Sequence, residues 1–393
     1  MTTRSRLRSR FTPLRSAAIL ILIIALALAV GSCSVQPRYN SLDLDLLPCE
    51  QGDSPVFFQP VEFDKIGNLK FPEQRHHLLE RLRQQQVRSV NGRESAPVTD
   101  LIFFVHGWNK NPASAEVDYQ NFICRLHGRL RQAIGERKDQ GGLLVIGVFW
   151  PSTITNRPQE PLLVKPASYF RIRRQADHIA KEGLAPLLQD VSQDIAPSTR
   201  GGRRLQLHLI GHSFGGRMLV ESMHKLDEEE DLVEFLSAPD SVNVLLLNPA
   251  IAPESFAWIG DAVSRSRAKG ERARFTDDTG SYLFNVHSRH DSANRILFRL
   301  ASLFNDDPAN CAAGACGVPC YPSARVNESG GLDSRRPRDS SDINAWNIDA
   351  TPIVFGHSDI YKGRVASLVA NLLYDAEVRA SLPSELPSDG CND

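Results

Sequence analysis

A single serine stands among glycines in the stretch LHLIGHSFGGRMLV, residues 207–220. The residues before it are typical of a buried strand, and those after it are typical of a helix. A serine at a sharp strand-to-helix turn projects its hydroxyl clear of the sheet, and Gly211 and Gly215 avoid collisions at the turn. The start of the helix also offers free N–H groups and partial positive charge, which stabilise an oxyanion. The pattern G-x-S-x-G is weak by itself, and this position between strand and helix gives it weight.

Five short apolar runs, each ending at a turn residue, predict the strands that position this serine: 101–107, 143–151, 205–211, 242–249 and 282–288. Stretches with helical character precede or separate them, at 72–87, 114–138, 171–194, 215–227 and 253–268. Strands alternating with helices predict an α/β fold with a mostly parallel sheet and helices on both faces. Ligand sites in such sheets lie at the carboxyl ends of the strands, so functional residues are expected just after each run.

With GHSFG at 211–215 and VHGW at 105–108, the chain resembles the α/β-hydrolase superfamily, on the side of the bacterial esterases and lipases. The resemblance covers roughly residues 98–375. It implies an α/β-hydrolase fold with Ser213 as the nucleophile. It also implies that the backbone N–H groups of Phe214 and Trp108 form the oxyanion hole. His106, in the second motif, is expected to be structural.

The family order of serine, acid, histidine then assigns the other two members of a triad. Asp291 follows the run YLFNVHSRHD, where the acid loop is expected. Its competitors are Asp261, Asp277, Asp278, Asp306 and Asp307. His357 lies in TPIVFGHSDIY, ahead of a final helical stretch, and is the expected base. His287 and His290 lie close to Asp291 but come too early in the chain.

The N-terminus carries the marks of an export signal. Basic residues 1–15 precede the apolar stretch SAAILILIIALALAV and then GSCS. The apolar stretch is short for a membrane span, which needs ~20 residues. Small residues before Cys33 resemble a bacterial lipobox, so residues 1–33 are expected to be a signal peptide with lipid attached at Cys33. An uncleaved anchor and a secreted soluble protein remain open, and all three place the body of the chain in the cell envelope or outside.

Domain boundaries follow from these assignments. Residues 34–97 are expected to be a tether and N-terminal extension, with 34–60 polar and proline-dotted. Residues 98–375 form the predicted catalytic domain, and 376–393 a C-terminal tail. Two segments, 151–170 and 305–345, break the strand–helix rhythm and are expected to be cap-like insertions that shape the pocket.

Seven cysteines fit an oxidising compartment. With Cys33 lipidated, six remain, and their pairing is open. The cluster from Cys311 to Cys320 suggests disulfides rather than zinc, because paired C-x-x-C spacing and nearby histidines are lacking.

The net charge of −1 and the absence of a basic stripe in the body of the chain argue against a nucleic-acid partner. The expected function is a serine hydrolase that cleaves small-molecule or lipid carboxylic esters through an acyl-enzyme, without metal or cofactor. An envelope acyltransferase or thioesterase with the same triad, and an anchored scaffold without turnover, remain alternatives. Oligomeric state cannot be read from the sequence.

Overall fold

The computed structural model describes residues 45–46, 49, 56–84, 98–134, 142–153, 165–200, 205–239, 241–268, 282–302, 311–319, 321–332, 345–375, 378–379 and 382. Residues 1–33, including Cys33, lie outside this set, so the signal, lipid and anchor assignments stay predictions. None of the helices in the described ranges is both long enough and apolar enough to span a bilayer.

A nine-stranded sheet forms the centre of the described chain, in the spatial order β1-β2-β4-β3-β5-β6-β7-β9-β8. Its strands are β1 (Asp45–Leu46), β2 (Val56–Glu62), β3 (Val98–Val105), β4 (Gly142–Phe149), β5 (Gln206–His212), β6 (Ser241–Leu247), β7 (Tyr282–His287), β8 (Ser323–Arg325) and β9 (Ala345–Asp349). The short edge strand β1 is antiparallel to β2, and every other neighbouring pair is parallel. The predicted α/β class with a mostly parallel sheet is confirmed.

The five predicted strands correspond to β3, β4, β5, β6 and β7. The tether expected at 34–60 is wrong for its last residues, because Val56–Glu62 is a fully buried strand that pairs with β4. The sheet therefore begins well before residue 98. Proline inside a strand is confined to places where no N–H is needed. Here β1 pairs only with Phe57 and Phe58, so Pro60 lies beyond its reach.

Helices fill the connections between strands. They are α1 (Pro72–Gln84), α2 (Pro112–Ile134), α3 (Lys165–Ile179), α4 (Ala185–Arg200), α5 (Phe214–Glu228), α6 (Leu232–Ser237), α7 (Pro253–Ala268), α8 (Ser292–Ser302), α9 (Ala313–Cys316) and α10 (Gly363–Tyr374). A single π-helical turn, Ala180–Leu184, joins α3 to α4. All five predicted helical stretches contain a helix.

The sheet separates two hydrophobic cores, as expected for a sheet covered on both faces. Alternate residues of β3 point to opposite sides: Phe103 packs in one core and Phe104 in the other. The Phe103 core includes residues of α1, α3, α4, α5 and α7. The Phe104 core includes residues of α2 and α10, which pack against each other across the second face.

Only part of each expected insertion is described. In 151–170, the described residues are 151–153 and the start of α3. In 305–345, α9 and the edge strand β8 are described, and β8 extends the sheet beside β9.

Two disulfides join described cysteines. Cys49 bonds to Cys124 on α2, and Cys311 bonds to Cys316 at the end of α9. The preference for disulfides in the Cys311–Cys320 cluster is therefore confirmed for Cys311 and Cys316. Cys320 and Cys391 lie outside the described residues.

Candidate active site

Ser213 occupies the junction between β5 and α5 with φ 54° and ψ −119°. Positive φ is uncommon for a residue with a side chain, and such strained positions concentrate at functional sites. Neighbouring strand ends fix the turn, because the Ser213 N–H donates to the Leu247 carbonyl at 3.0 Å and its carbonyl accepts from the Ala250 N–H at 3.2 Å. The junction therefore has the strand–turn–helix form that the sequence predicted.

The flanking glycines are required by space. A Cβ added at Gly215 would lie 2.0 Å from the Val105 carbonyl oxygen, and one at Gly211 would lie 2.6 Å from the backbone of Gly216. Both distances are far inside van der Waals contact. The glycines thus let helix α5 start directly against β3 and β5, which raises the serine at the carboxyl edge of the sheet.

Three side chains from distant parts of the chain meet at this edge. His357 Nε2 lies 2.7 Å from Ser213 Oγ, and His357 Nδ1 lies 2.8 Å from Asp291 Oδ2. Because a carboxylate only accepts, Nδ1 carries the proton and Nε2 is free to accept from the serine hydroxyl. The structure therefore brings together Ser213, His357 and Asp291 in the hydrogen-bonded order of a catalytic triad.

Asp291 is fully buried in the loop between β7 and α8. Its Oδ1 accepts the Asn294 backbone N–H at 3.0 Å, and its Oδ2 accepts the Asn294 amide at 2.9 Å. These donors satisfy a buried carboxyl that faces His357, and they fix its orientation. Nothing in the sequence distinguishes Asn294 from any other polar residue at the start of a helix.

The loop that carries His357 is held through its own main chain. The His357 carbonyl oxygen accepts from His212 Nε2 at 2.9 Å and from the Asn248 amide at 3.3 Å. His212 precedes the serine at the end of β5, and Asn248 follows β6 with φ 44°. Both are nearly or wholly inaccessible to solvent. Their only signal in the sequence is a polar residue directly after an apolar run.

His212 remains neutral inside this site. Burial, together with the nearby His357, lowers its pKa well below the ordinary value. Its Nδ1 lies 3.1 Å from the Tyr361 hydroxyl, whose own pKa is raised well above the usual range by burial and by Asp118. A protonated phenol donates to Nδ1, so the His212 proton resides on Nε2 and faces the His357 carbonyl.

The loop of residues 106–108, with the sequence His-Gly-Trp, passes beside the serine. A Cβ added at Gly107 would lie 2.9 Å from Ser213 Cβ, so this loop is in direct contact with the turn between β5 and α5 that carries Ser213, called the elbow below. The Trp108 ring packs edge-on against Phe214, with centroids 6.4 Å apart. The residues expected to form the oxyanion hole, Trp108 and Phe214, are therefore neighbours at the serine.

His106 is a buried member of the same loop. Its ring stacks on Trp150, its Nδ1 bonds the Gly107 carbonyl at 2.8 Å, and its carbonyl accepts the Trp150 indole N–H. Burial lowers its pKa to about 4. These contacts fix the loop, in agreement with the structural role expected from the sequence.

The other candidate residues lie elsewhere. Asp261 is exposed on α7, while Asp277, Asp278, Asp306 and Asp307 are outside the described residues. His290 is exposed and stacks on Phe355. His287 is buried and lines a cleft of about 310 Å³, together with residues of β8, β9 and the segment after α9. Of the two candidate carboxylates that the structure describes, Asp261 and Asp291, it is Asp291 that bonds His357.

No protein-family model and no curated protein matches the sequence. Among solved structures, a lipase-esterase related protein from Clostridium acetobutylicum ATCC 824 aligns with a TM-score of 0.22 and 11% sequence identity. That alignment covers 75% of this chain and 97% of the other. A likeness this distant shows nothing about the chemistry of this chain.

Proposed function

We propose that this chain is a serine hydrolase that cleaves carboxylic esters. The observation that carries the proposal is the continuous set of hydrogen bonds from Ser213 Oγ through the His357 imidazole to Asp291. A buried carboxylate, an imidazole hydrogen-bonded to it and a strained serine form the constellation that activates a hydroxyl for nucleophilic attack.

In the proposed chemistry, a proton moves between Ser213, His357 and the substrate along these hydrogen bonds. Ser213 Oγ bonds to the ester carbonyl carbon while its proton passes to His357 Nε2. The imidazolium is stabilised by Asp291 and returns the proton to the departing alcohol oxygen. Water then attacks the acyl-enzyme, gives its proton to His357, and releases the acid as the proton returns to Ser213.

The tetrahedral oxyanion is assigned to the backbone N–H groups of Trp108 and Phe214. Phe214 is the first residue of α5, where main-chain N–H groups have no partner within the helix. The contact between the Gly107 position and Ser213 supports Trp108 as the second donor. Removal of one such donor costs ~3–4 kcal/mol in the activation barrier.

The proposed substrates are small-molecule or lipid esters. Phe355, two residues before His357, exposes 62% of its surface and offers an apolar contact beside the base. We further propose that the chain acts in the cell envelope, attached to the membrane by lipid at Cys33 or by an uncleaved anchor. The chemistry assigned to the triad needs neither metal nor organic cofactor.

Replacement of the nucleophile tests the proposal. Ser213→Ala is expected to lower kcat for p-nitrophenyl esters of graded acyl length by roughly 10⁴-fold or more, with the fold intact. Ser237→Ala removes an exposed hydroxyl at the end of α6 and is the matched control. Equal turnover by wild type and Ser213→Ala contradicts the proposal. Product analysis with added alcohol or thiol acceptors separates hydrolysis from acyl transfer.

A further inference from the structure

The main-chain carbonyl of His357 is the meeting point of two buried donors. One is His212 Nε2, at the end of β5, and the other is the Asn248 amide, just after β6. A backbone carbonyl has two acceptor sites, so these two donors can satisfy it fully. The loop around His357 lies between β9 and a short 3-10 turn, Asp359–Tyr361. The loop is thus attached to the sheet at His357, the residue whose imidazole must stay within hydrogen-bond distance of Ser213.

Asn248 also connects this attachment to the acid loop. Its backbone oxygen accepts the Asn294 amide at 2.7 Å, and the same Asn294 amide nitrogen lies 2.9 Å from Asp291 Oδ2. One residue therefore contacts the main chain beneath the base and, through Asn294, the carboxylate that orients it. Asn248 adopts φ 44°, a left-handed conformation that costs energy outside glycine. Strain of this kind persists only where surrounding contacts over-determine the position.

The remaining bonds of His212 explain why a histidine fits here. The ring must donate from Nε2 to a carbonyl, which cannot donate back, and accept at Nδ1 from the Tyr361 hydroxyl. A neutral imidazole does both on opposite edges. The ring centroids of His212 and His357 lie 4.8 Å apart. His212 therefore also packs against the side chain of the residue whose main-chain carbonyl it bonds.

We propose that His212 and Asn248 are positioning residues for His357. Their two donors hold its carbonyl and so keep Nε2 within hydrogen-bond distance of Ser213 Oγ. The inference rests on the proposed function and deepens it. Neither residue touches the reacting atoms in the assigned chemistry, so both act through His357. Displacement of a catalytic group by about 1 Å is enough to cost about 10²-fold in rate.

Four variants of the full-length chain test this. Asn248→Gly removes the amide donor while keeping a residue that accepts positive φ without cost. His212→Phe removes both ring nitrogens but keeps a flat ring, and His212→Gln restores a donor and an acceptor. The fourth is the double variant His212→Phe/Asn248→Gly. His224→Phe, which alters a ring of α5 that stacks on Trp258 of α7, is the control for a histidine change close in the chain.

Each donor-removing single variant is expected to lower kcat for p-nitrophenyl esters by roughly 10- to 100-fold, with KM within about twofold of wild type. His212→Gln recovers most of the loss. The double variant loses more than the product of the single effects, because each single variant leaves the carbonyl with one donor. His224→Phe keeps wild-type kcat. Wild-type kcat in Asn248→Gly and His212→Phe, or KM rising in step with the fall in kcat, overturns the proposal.

A second readout does not depend on turnover. The proton between His357 Nδ1 and Asp291 gives a low-field proton NMR resonance when it is held in a short hydrogen bond. This resonance is expected to persist in Ser213→Ala and to broaden or disappear in the double variant. If wild type hydrolyses no ester, the proposed function fails while this signal still decides the positioning role. An unchanged resonance in the double variant overturns it.

Discussion

At the scale of residues, burial distinguishes the histidines around Ser213. His106 and His212 are enclosed, and burial lowers the pKa of each, so both stay neutral and serve as fixed hydrogen-bonding groups. His357 keeps 19% of its side chain exposed and lies between a hydroxyl and a carboxylate. It is therefore the imidazole with both a proton source and a partner for its charged form.

Buried neutral histidines also predict how stability depends on pH. Burial lowers the pKa of His106 and of His287 to about 4 each, whereas an unfolded histidine titrates near 6.5. Between these values the unfolded chain binds more protons, so the free energy of unfolding falls as pH is lowered from about 6.5 towards 4. Each residue contributes a loss of about 2 kcal/mol between pH 7 and pH 5.

Urea denaturation at pH 7, 6 and 5 measures this dependence. His287→Gln, which removes one titrating ring away from the triad, is expected to show a pH dependence smaller by about 2 kcal/mol than that of wild type. Equal pH dependence in the two proteins would show that His287 does not titrate as its burial requires.

At the scale of elements, the elbow between β5 and α5 depends on direct contact between main-chain atoms, with no side chain between them. Gly215→Ala places a methyl group 2.0 Å from the Val105 carbonyl oxygen, and neither partner is a flexible side chain. The strand or the helix must then move. We expect a loss of about 3 kcal/mol or more in the free energy of unfolding, together with loss of ester hydrolysis.

Gly363→Ala is the matched control for that change. Gly363 begins α10, and a Cβ there meets its nearest atom at 3.9 Å. The melting temperature of the Gly363→Ala protein should equal or slightly exceed that of wild type, because alanine favours a helix more than glycine does. A Gly215→Ala protein with wild-type melting temperature would contradict the close-packed elbow.

The elements differ in how well the sequence announces them. Continuous apolar runs predicted β3 to β7, because strands buried on both faces need apolar residues throughout. β2 carries Gln59 and Pro60, and its local pattern predicts a tether, although its residues are buried. β9 alternates buried apolar residues with Asn347, which bonds Val318, so its apolar signal is weak. Tertiary pairing creates these strands, and local pattern does not reveal it.

At the scale of the whole molecule, the parallel sheet explains why residues so far apart in sequence meet. Ser213 and His357 are separated by 144 positions, and Asp291 and His357 by 66. They follow β5, β7 and β9, whose carboxyl ends share one edge. The sequence predicted this convergence from the order of strands and family motifs. It did not predict the anchoring by His212 and Asn248, which depends on the path of one loop.

A disulfide also joins the N-terminal part of the chain to the rest of the molecule. Cys49 is bonded to Cys124, so the segment that follows the expected signal is covalently attached to α2. Spacing of cysteines leaves this pairing open, because any pairing depends on which elements the fold brings together. The export expected from the first 33 residues fits a chain whose described cysteines form disulfides.

Covalent trapping of the serine tests the central claim most directly. A fluorophosphonate probe reacts with a serine that a neighbouring base activates, and peptide mapping by mass spectrometry identifies the modified residue. The account predicts a stoichiometric adduct on Ser213 in wild type and in Ser237→Ala, with none in Ser213→Ala. A folded wild-type protein that carries no adduct at Ser213 would contradict it.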